Sequence, residues 1–262
     1  MYRGGGGGIK LYDNKTTVDL IVNQRKSLSR YGDGEFGVIT GDKGIFFQKY
    51  SEEFQDDLIK AFTDTNPNLL IGLPHIMFDT SKCNWHTKLF WEVYSFYVLK
   101  KILPFIDLTK TYSSAFVARP FVSWHDKSSS KSGFENIKRI WDKREIVIVE
   151  GEHVKLGVGT DLFSNAKSIR RILCPSENAY EKIERIKESI RRNVEHNTIM
   201  LGVLGPTASI LASQLCSEGY QFIDIGQLNG EYRAYIEYFS LKDSYVEGSE
   251  AAYSASVIDR ID

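Results

Sequence analysis

The sequence predicts an α/β fold, a Rossmann-like parallel sheet with flanking helices. Two observations carry this. In the second half of the chain short apolar runs alternate with amphipathic runs at a regular pace. Glycine-containing turns stand where those apolar runs end and the next segment begins, as in right-handed strand-crossover-strand units. A chain of 262 residues can bury a large core, and 42% hydrophobic content is ordinary for a globular protein.

Taken in order, residues 1–8, with the run Gly4 to Gly8, read as a flexible linker or cloning remnant. Residues 9–262 read as a single domain, with an N-terminal part (9–144) and a Rossmann-like part (145–262) packed as one unit around a cleft. A helix is expected from about Val18 to Leu28, running into RYGDGEF (Arg30 to Phe36), and another from Glu52 to Phe62. Then come an apolar strand, LLIGLP (Leu69 to Pro74), an aromatic helix from Trp85 to Leu103, and a strand near Ser113 to Val117. In the second part EIVIV (Glu145 to Val149), IRRILC (Ile169 to Cys174), TIMLGVL (Thr198 to Leu204) and QFIDI (Gln221 to Ile225) read as strands. Helices are expected between them at Thr160 to Lys167, Asn178 to about Val194, and Pro206 to Ser217. Pro206 suits a first helical position, and Gly219 follows the last turn as a C-terminal stop does. No repeat and no low-complexity linker separates the two parts. The final residues show no break in organisation, which is compatible with a longer natural chain.

Lysines and arginines (33) nearly balance aspartates and glutamates (34), so no overall field draws the chain to nucleic acid or an anionic membrane. Cys83, Cys174 and Cys216 are odd in number and widely spaced, as reduced cysteines of a cytoplasmic protein are. No apolar stretch reaches the length of a membrane span, and the start lacks the apolar core of a secretory signal. Neither a G-x-S-x-G elbow nor a Walker loop is present.

RYGDGEF is the most informative segment. Gly32 and Gly34 flank Asp33 and let the backbone approach a ligand, while Asp33 and Glu35 point the same way if the segment is extended. Two such carboxylates suit a hard cation, Mn2+ or Mg2+, with positions left open for a diphosphate. A solvated acidic turn would read the same way. A second cluster follows a strand end: Glu150, Gly151 and Glu152, then Gly157 and Gly159, which can set backbone N–H groups against ribose or phosphate. It lacks the third glycine of the dinucleotide fingerprint, and a tight connection is the plain alternative. A third, Gly205, Pro206 and Thr207, combines close backbone approach with the positive end of a helix. Asp224 ends the last strand, Glu231 lies a little beyond it, and Arg119 offers a cation for phosphate or a partner for a carboxylate. The five histidines show no zinc spacing, and the aromatics of FWEVYSFYVL recur at helical spacing, as core residues do.

In order, RYGDGEF, IFFQKY, ARPFV, IVEGE, LGVGTDLF, CPSENAY, LGPTAS and IDIG resemble the GT-D family of bacterial glycosyltransferases, from Ser29 to about Tyr232. The chain is similar to the glucosyltransferase domains that extend O-glycans of streptococcal serine-rich-repeat adhesins. The resemblance implies a UDP-sugar donor, a glycan or glycoprotein acceptor, and a metal bound at an Asp-x-Glu motif, which Asp33 and Glu35 match. It adds Arg30 and Gln48 to the residues expected around the nucleotide sugar. After the last strand the chain departs from the family pattern: Glu231 and Tyr232 are kept, but Asn229 replaces the preceding acid. The base of an inverting displacement is expected among Glu250, Glu231 and Glu247. A non-catalytic nucleotide-sugar binding module would share the phosphate-facing turns without needing metal or base. An NAD-dependent oxidoreductase is the third reading, weakened by the missing glycine fingerprint.

Overall fold

The computed structural model describes residues 2–3, 8–41, 45–247 and 249–262. Met1 and residues 4–7 of the expected linker 1–8 lie outside the described residues. Ten strands form one sheet in the order β1 (Tyr2–Arg3), β2 (Lys10–Leu11), β5 (Thr111–Ser114), β4 (Leu69–Leu73), β3 (Ser27–Arg30), β9 (Gln221–Asp224), β8 (Ile199–Val203), β6 (Glu145–Gly151), β7 (Ser168–Cys174) and β10 (Val257–Arg260). Nine run parallel, and β1 alone pairs antiparallel, with β2.

Strands covered on both faces must be apolar on both, and β6 shows how this is met. Val147 and Val149 enter one core layer with Phe54, Leu58, Ile186 and Ile210, while Ile146 and Ile148 enter the other with Val18, Phe134, Ile137 and Tyr235. The first layer is roofed by α2 (Asp33–Ile39), α3 (Glu52–Thr63), α4 (Trp85–Ile102), α6 (Ile183–Asn193) and α7 (Pro206–Ser217). The second is closed by α1 (Asn14–Gln24), α5 (Ser130–Lys138) and α8 (Leu228–Tyr238). A last helix, α9 (Ser249–Ser256), leads into β10.

The expected strands of the second part are all present, and α3 and α7 lie where the pattern puts them. Four differences are informative. Leu28 belongs to β3 because α1 stops at Gln24, with Arg25 in the left-handed region at φ 52°. Thr160 to Lys167 is a series of turns and not a helix; its apolar Leu162 and Phe163 are buried, but Gly157 and Gly159 at φ +72° and +79° fold the chain tightly before a helix can begin. The segment after Arg30 is the first turn of α2, not extended chain. Finally, Trp91 and Val98 of α4 are core residues as expected, whereas Phe96 and Tyr97 are each 66% exposed. Cys83, Cys174 and Cys216 are buried free thiols.

Sheet order decides where a ligand can sit. From β3 the chain proceeds to β4 on one side, whereas β8 and β9 approach β3 from the other. The crevice beyond the carboxyl ends of β3 and β9 is therefore the topological switch point, where helices leave in opposite directions and an open sheet binds its ligands.

Candidate active site

At that switch point lies a cavity of about 260 Å3 bordered by Arg30, Gly32, Asp33, Glu35, Arg119, Gly205 and Asp224, all expected from sequence. Tyr31, Phe47, Trp91, Phe116, Gly226 and Gln227 complete much of its wall. Residues from six separate stretches of chain meet here, three of them from the ends of β3, β5 and β9 at this edge of the sheet.

Asp33 and Glu35 are held by the start of α2. Gly32 is the N-cap, and the Glu35 carboxylate turns back to accept the Gly32 N–H at 2.8 Å, one half of a capping box. Asp33 occupies the first helical position with its side chain exposed, while its carbonyl accepts the Tyr94 hydroxyl at 2.8 Å. Both residues border the cavity, and Glu35 is placed there by helix capping and not by the alternation of an extended segment. Burial, and next the Asp224 carboxylate, push the Glu35 carboxyl from 4.5 up to about 7.

Arg30 organises the floor. Its guanidinium donates to the Asp224 carbonyl (2.8 Å), the Ala115 carbonyl (2.9 Å), the Asp224 carboxylate (3.0 Å) and the Gly226 carbonyl (2.7 Å). Asp224 also accepts the Gly226 N–H at 2.9 Å. Arg30 thus ties the ends of β5 and β9 to β3, and four of its five N–H donors go to protein oxygens. Arg119 is the more available cation: its side chain is 31% exposed, and it stacks over the Phe116 ring at 5.5 Å. Opposite, Gly205 at φ +55° brings the start of α7 to the cavity, with the Phe47 ring laid against it. A Cβ there would stand 2.4 Å from that ring, so only glycine admits the contact. Pro206 and Thr207 are buried in the first turn of α7, and the Thr207 hydroxyl has no hydrogen-bond partner among the described residues.

Other expected residues lie elsewhere. Glu150 is buried against Arg171 and accepts the Leu156 N–H at 2.7 Å, the work of a core ion pair. Gly151 abuts Ser176, and Glu152 is exposed beside His153. This cluster, with Gly157 and Gly159, sits beyond β6, three strand spacings or about 14 Å from β3. Gln48 is buried, its amide oxygen accepting the Tyr180 N–H at 3.1 Å. Glu250 pairs with Lys155 at 3.0 Å on the surface, and Glu247 is exposed; neither borders the cavity.

Glu231 is buried and accepts the N–H groups of Phe121 and Val122, both at 2.8 Å, while facing Arg119 at 3.5 Å. A carboxylate so engaged holds the Arg119–Val122 loop in place. Glu231→Gln is expected to cost about 1.5–3 kcal/mol, the worth of hydrogen bonds to a charged group. Denaturant melts would show that loss, and ligand titration would show weaker binding of phosphates at Arg119.

Glu35 makes a pH prediction. Because its folded pKa is raised, the folded state holds more protons than the unfolded one between pH 4.5 and about 7, so its contribution to stability falls as pH rises through that window. Glu35→Gln is therefore expected to stabilise the metal-free protein relative to wild type at pH 8 more than at pH 5, by on the order of 2 kcal/mol at most. Thermal melts of both proteins at the two pH values test this. An equal difference at both would contradict it.

Of the cavity residues missed from sequence, Phe47 carried a faint signal as one of two adjacent aromatics in IFFQKY. Gln227, left-handed at φ 73°, and Phe116 carried none.

A parallel α/β sheet whose switch-point crevice gathers two carboxylates, an available arginine and a helix start belongs to the class of nucleotide-binding enzymes. Residues 28–246 match the family model described as glycosyltransferase GT-D fold, and the chain belongs to that family of glycosyltransferases. It is 35% identical over 230 residues to a probable glycosyl transferase Gly of Streptococcus gordonii, covering 87% of this chain and 33% of the relative. Glycosyltransferase GlyD of Streptococcus pneumoniae serotype 4 is 35% identical over 219 residues, or 82% of this chain and 26% of the relative. The chain thus spans a third or less of the curated relatives it matches. Among solved structures, the conserved domain of unknown function 1792, described as having a distinct glycosyltransferase fold, superposes with a TM-score of 0.86 at 31% identity, covering 97% of this chain and 96% of that one. A glycosyltransferase of the same domain type from Streptococcus sanguinis gives 0.86 at 28% identity, covering 97% and 100%.

Proposed function

We propose that the switch-point crevice binds a nucleoside-diphosphate sugar, UDP-glucose in the first instance. Its hexose passes to a hydroxyl of a glycan on a glycoprotein such as a serine-rich-repeat adhesin. The observation that carries this reading is the convergence of Asp33 and Glu35 on a cavity that also contains Arg119 and the start of α7. Both carboxylates are hard oxygen donors suited to Mn2+ or Mg2+, and among the described residues no group of three or more His, Cys, Asp or Glu side chains is placed to hold a metal ion. That donor set fits a cation shared with a diphosphate better than one caged by protein alone. When bound, the cation would offset charge on the departing diphosphate.

The protein's own residues supply the rest. Arg119 and the α7 N–H groups meet phosphate oxygens, the Phe47 and Trp91 rings wall off water, and the Arg30–Asp224 clamp keeps the floor rigid. Inversion by single displacement is the mechanism we favour. Asp33, Glu35 and Asp224 are the carboxylates a substrate in this crevice would meet, ahead of Glu247 and Glu250.

The test is UDP release from a panel of UDP-sugars with a glycopeptide acceptor, in Mn2+ and in chelator. Acceptor-stimulated release that chelator abolishes supports the reading, and the preferred sugar names the donor. UDP binding without turnover of any sugar would instead favour a nucleotide-sugar binding module.

A further inference from the structure

A second and larger cavity, about 670 Å3, lies beside the first at the same edge of the sheet. It is framed by the start of α1, the chain after β4 at His75, the Pro120–Trp124 loop and the exposed side of α5. Its volume falls within the range of small-molecule sites, whereas the crevice at Asp33 falls just below it. The two spaces share a partition. Phe116 borders the crevice, and its ring packs on the other side against His75 (5.3 Å) and Trp124 (5.6 Å), both of which line the larger cavity. Likewise Arg119 faces the crevice and the next residue, Pro120, faces the larger cavity.

We infer that this larger cavity is the acceptor subsite, built to seat an uncharged sugar of the acceptor glycan with one hydroxyl directed past Phe116 toward the donor crevice. The inference rests on the donor reading proposed above. Three features of the lining select that ligand class. Trp124 provides an aromatic surface, stacked on its other side against His75 at an interplanar angle of 13° and fixed by its indole N–H donating to the Arg119 carbonyl at 3.0 Å. The surrounding charges cancel: Asp13, Asp79 and Glu135 are matched by Lys15, Lys82 and Arg139. Burial holds His75 neutral, its pKa pushed down to about 4, so it adds no charge at physiological pH. Asn14 and Asn136 add short amide groups of the kind that pair with sugar hydroxyls. A nucleotide or an anionic sugar would find no net positive charge here.

Trp124→Ala removes the platform but also loosens His75 and Phe116, so Ser132→Trp is the sharper variant. Ser132 is exposed on α5 and makes one hydrogen bond, to the Ser129 carbonyl at 2.8 Å, and a tryptophan there fills the cavity without touching the core. Saturation-transfer NMR would use lactose, cellobiose and N,N′-diacetylchitobiose as neutral probes and sialyllactose as the anionic one. UDP affinity and acceptor-free UDP-glucose hydrolysis would be measured in parallel. The expected result is a signal from at least one neutral disaccharide in wild type, weakened about tenfold or more in apparent affinity by Ser132→Trp, with UDP binding and hydrolysis unchanged. Neutral disaccharides that bind neither protein, that bind both equally, or that are outcompeted by sialyllactose would overturn the inference. Failure of wild type to bind UDP would instead sink the donor reading, and the disaccharide signal would be read independently of it.

Discussion

Asp33→Ala is expected to leave the protein folded and to lower sugar transfer by about 10²- to 10³-fold, the loss typical of removing one preorganised group that stabilises developing charge. The side chain is exposed and packs against nothing in the core, so the structural cost is confined to one acid in the first turn of α2, about 0.3–1 kcal/mol. Activity and stability should therefore separate. Initial rates of UDP release, set beside a thermal melt, make the comparison, and a Mn2+ titration locates the defect: the variant should need far more cation for half-maximal rate. A variant with full activity would remove Asp33 from the site, and with it the observation on which the donor reading stands. Glu250→Gln is the companion measurement. Glu250 lies at the surface with Lys155, outside the crevice, and its loss should change the rate little.

Arg30→Met is expected to act through the fold. Its guanidinium is buried and paired with Asp224, so the substitution strands a buried carboxylate and leaves the Ala115 and Gly226 carbonyls without their donor. Breaking a buried pair from one side costs about 3–5 kcal/mol, which for a chain of this size lowers Tm by roughly 10 °C. Lysine should rescue little, because a single ammonium cannot span the ends of three strands as the planar fork does. Transfer should fall as well, since the floor beneath Asp33 and Glu35 is what Arg30 ties together. If Arg30→Met keeps its stability but loses donor binding, Arg30 contacts the nucleotide directly, as the family resemblance implied.

The parallel sheet was legible because its signal is local. A strand buried on both faces must be apolar throughout, and EIVIV and TIMLGVL announce this without reference to any neighbour. Pro206 and Gly219 marked the ends of α7 for the same reason, each acting through its own backbone geometry. Asp33 and Glu35 could be read as a carboxylate pair, but the manner of their convergence could not. Glu35 as the third residue of a helix, returning to its own cap, competes with an extended turn, and the Tyr94 hydroxyl that holds the Asp33 carbonyl comes from a helix 61 positions away.

The sequence by itself determined the class of fold and the family, because these follow from periodicity, glycine placement and motif order along the chain. Tertiary structure alone decided which charged residues are buried against protein partners and which border the crevice with an exposed side chain. Glu150, Glu231 and Arg30 resemble site residues in a string of letters, yet each is buried against a partner from 21 to 194 positions away. A buried charge must find an opposite charge or hydrogen-bond donors, and the distant segment that supplies them is known only once the sheet order is known.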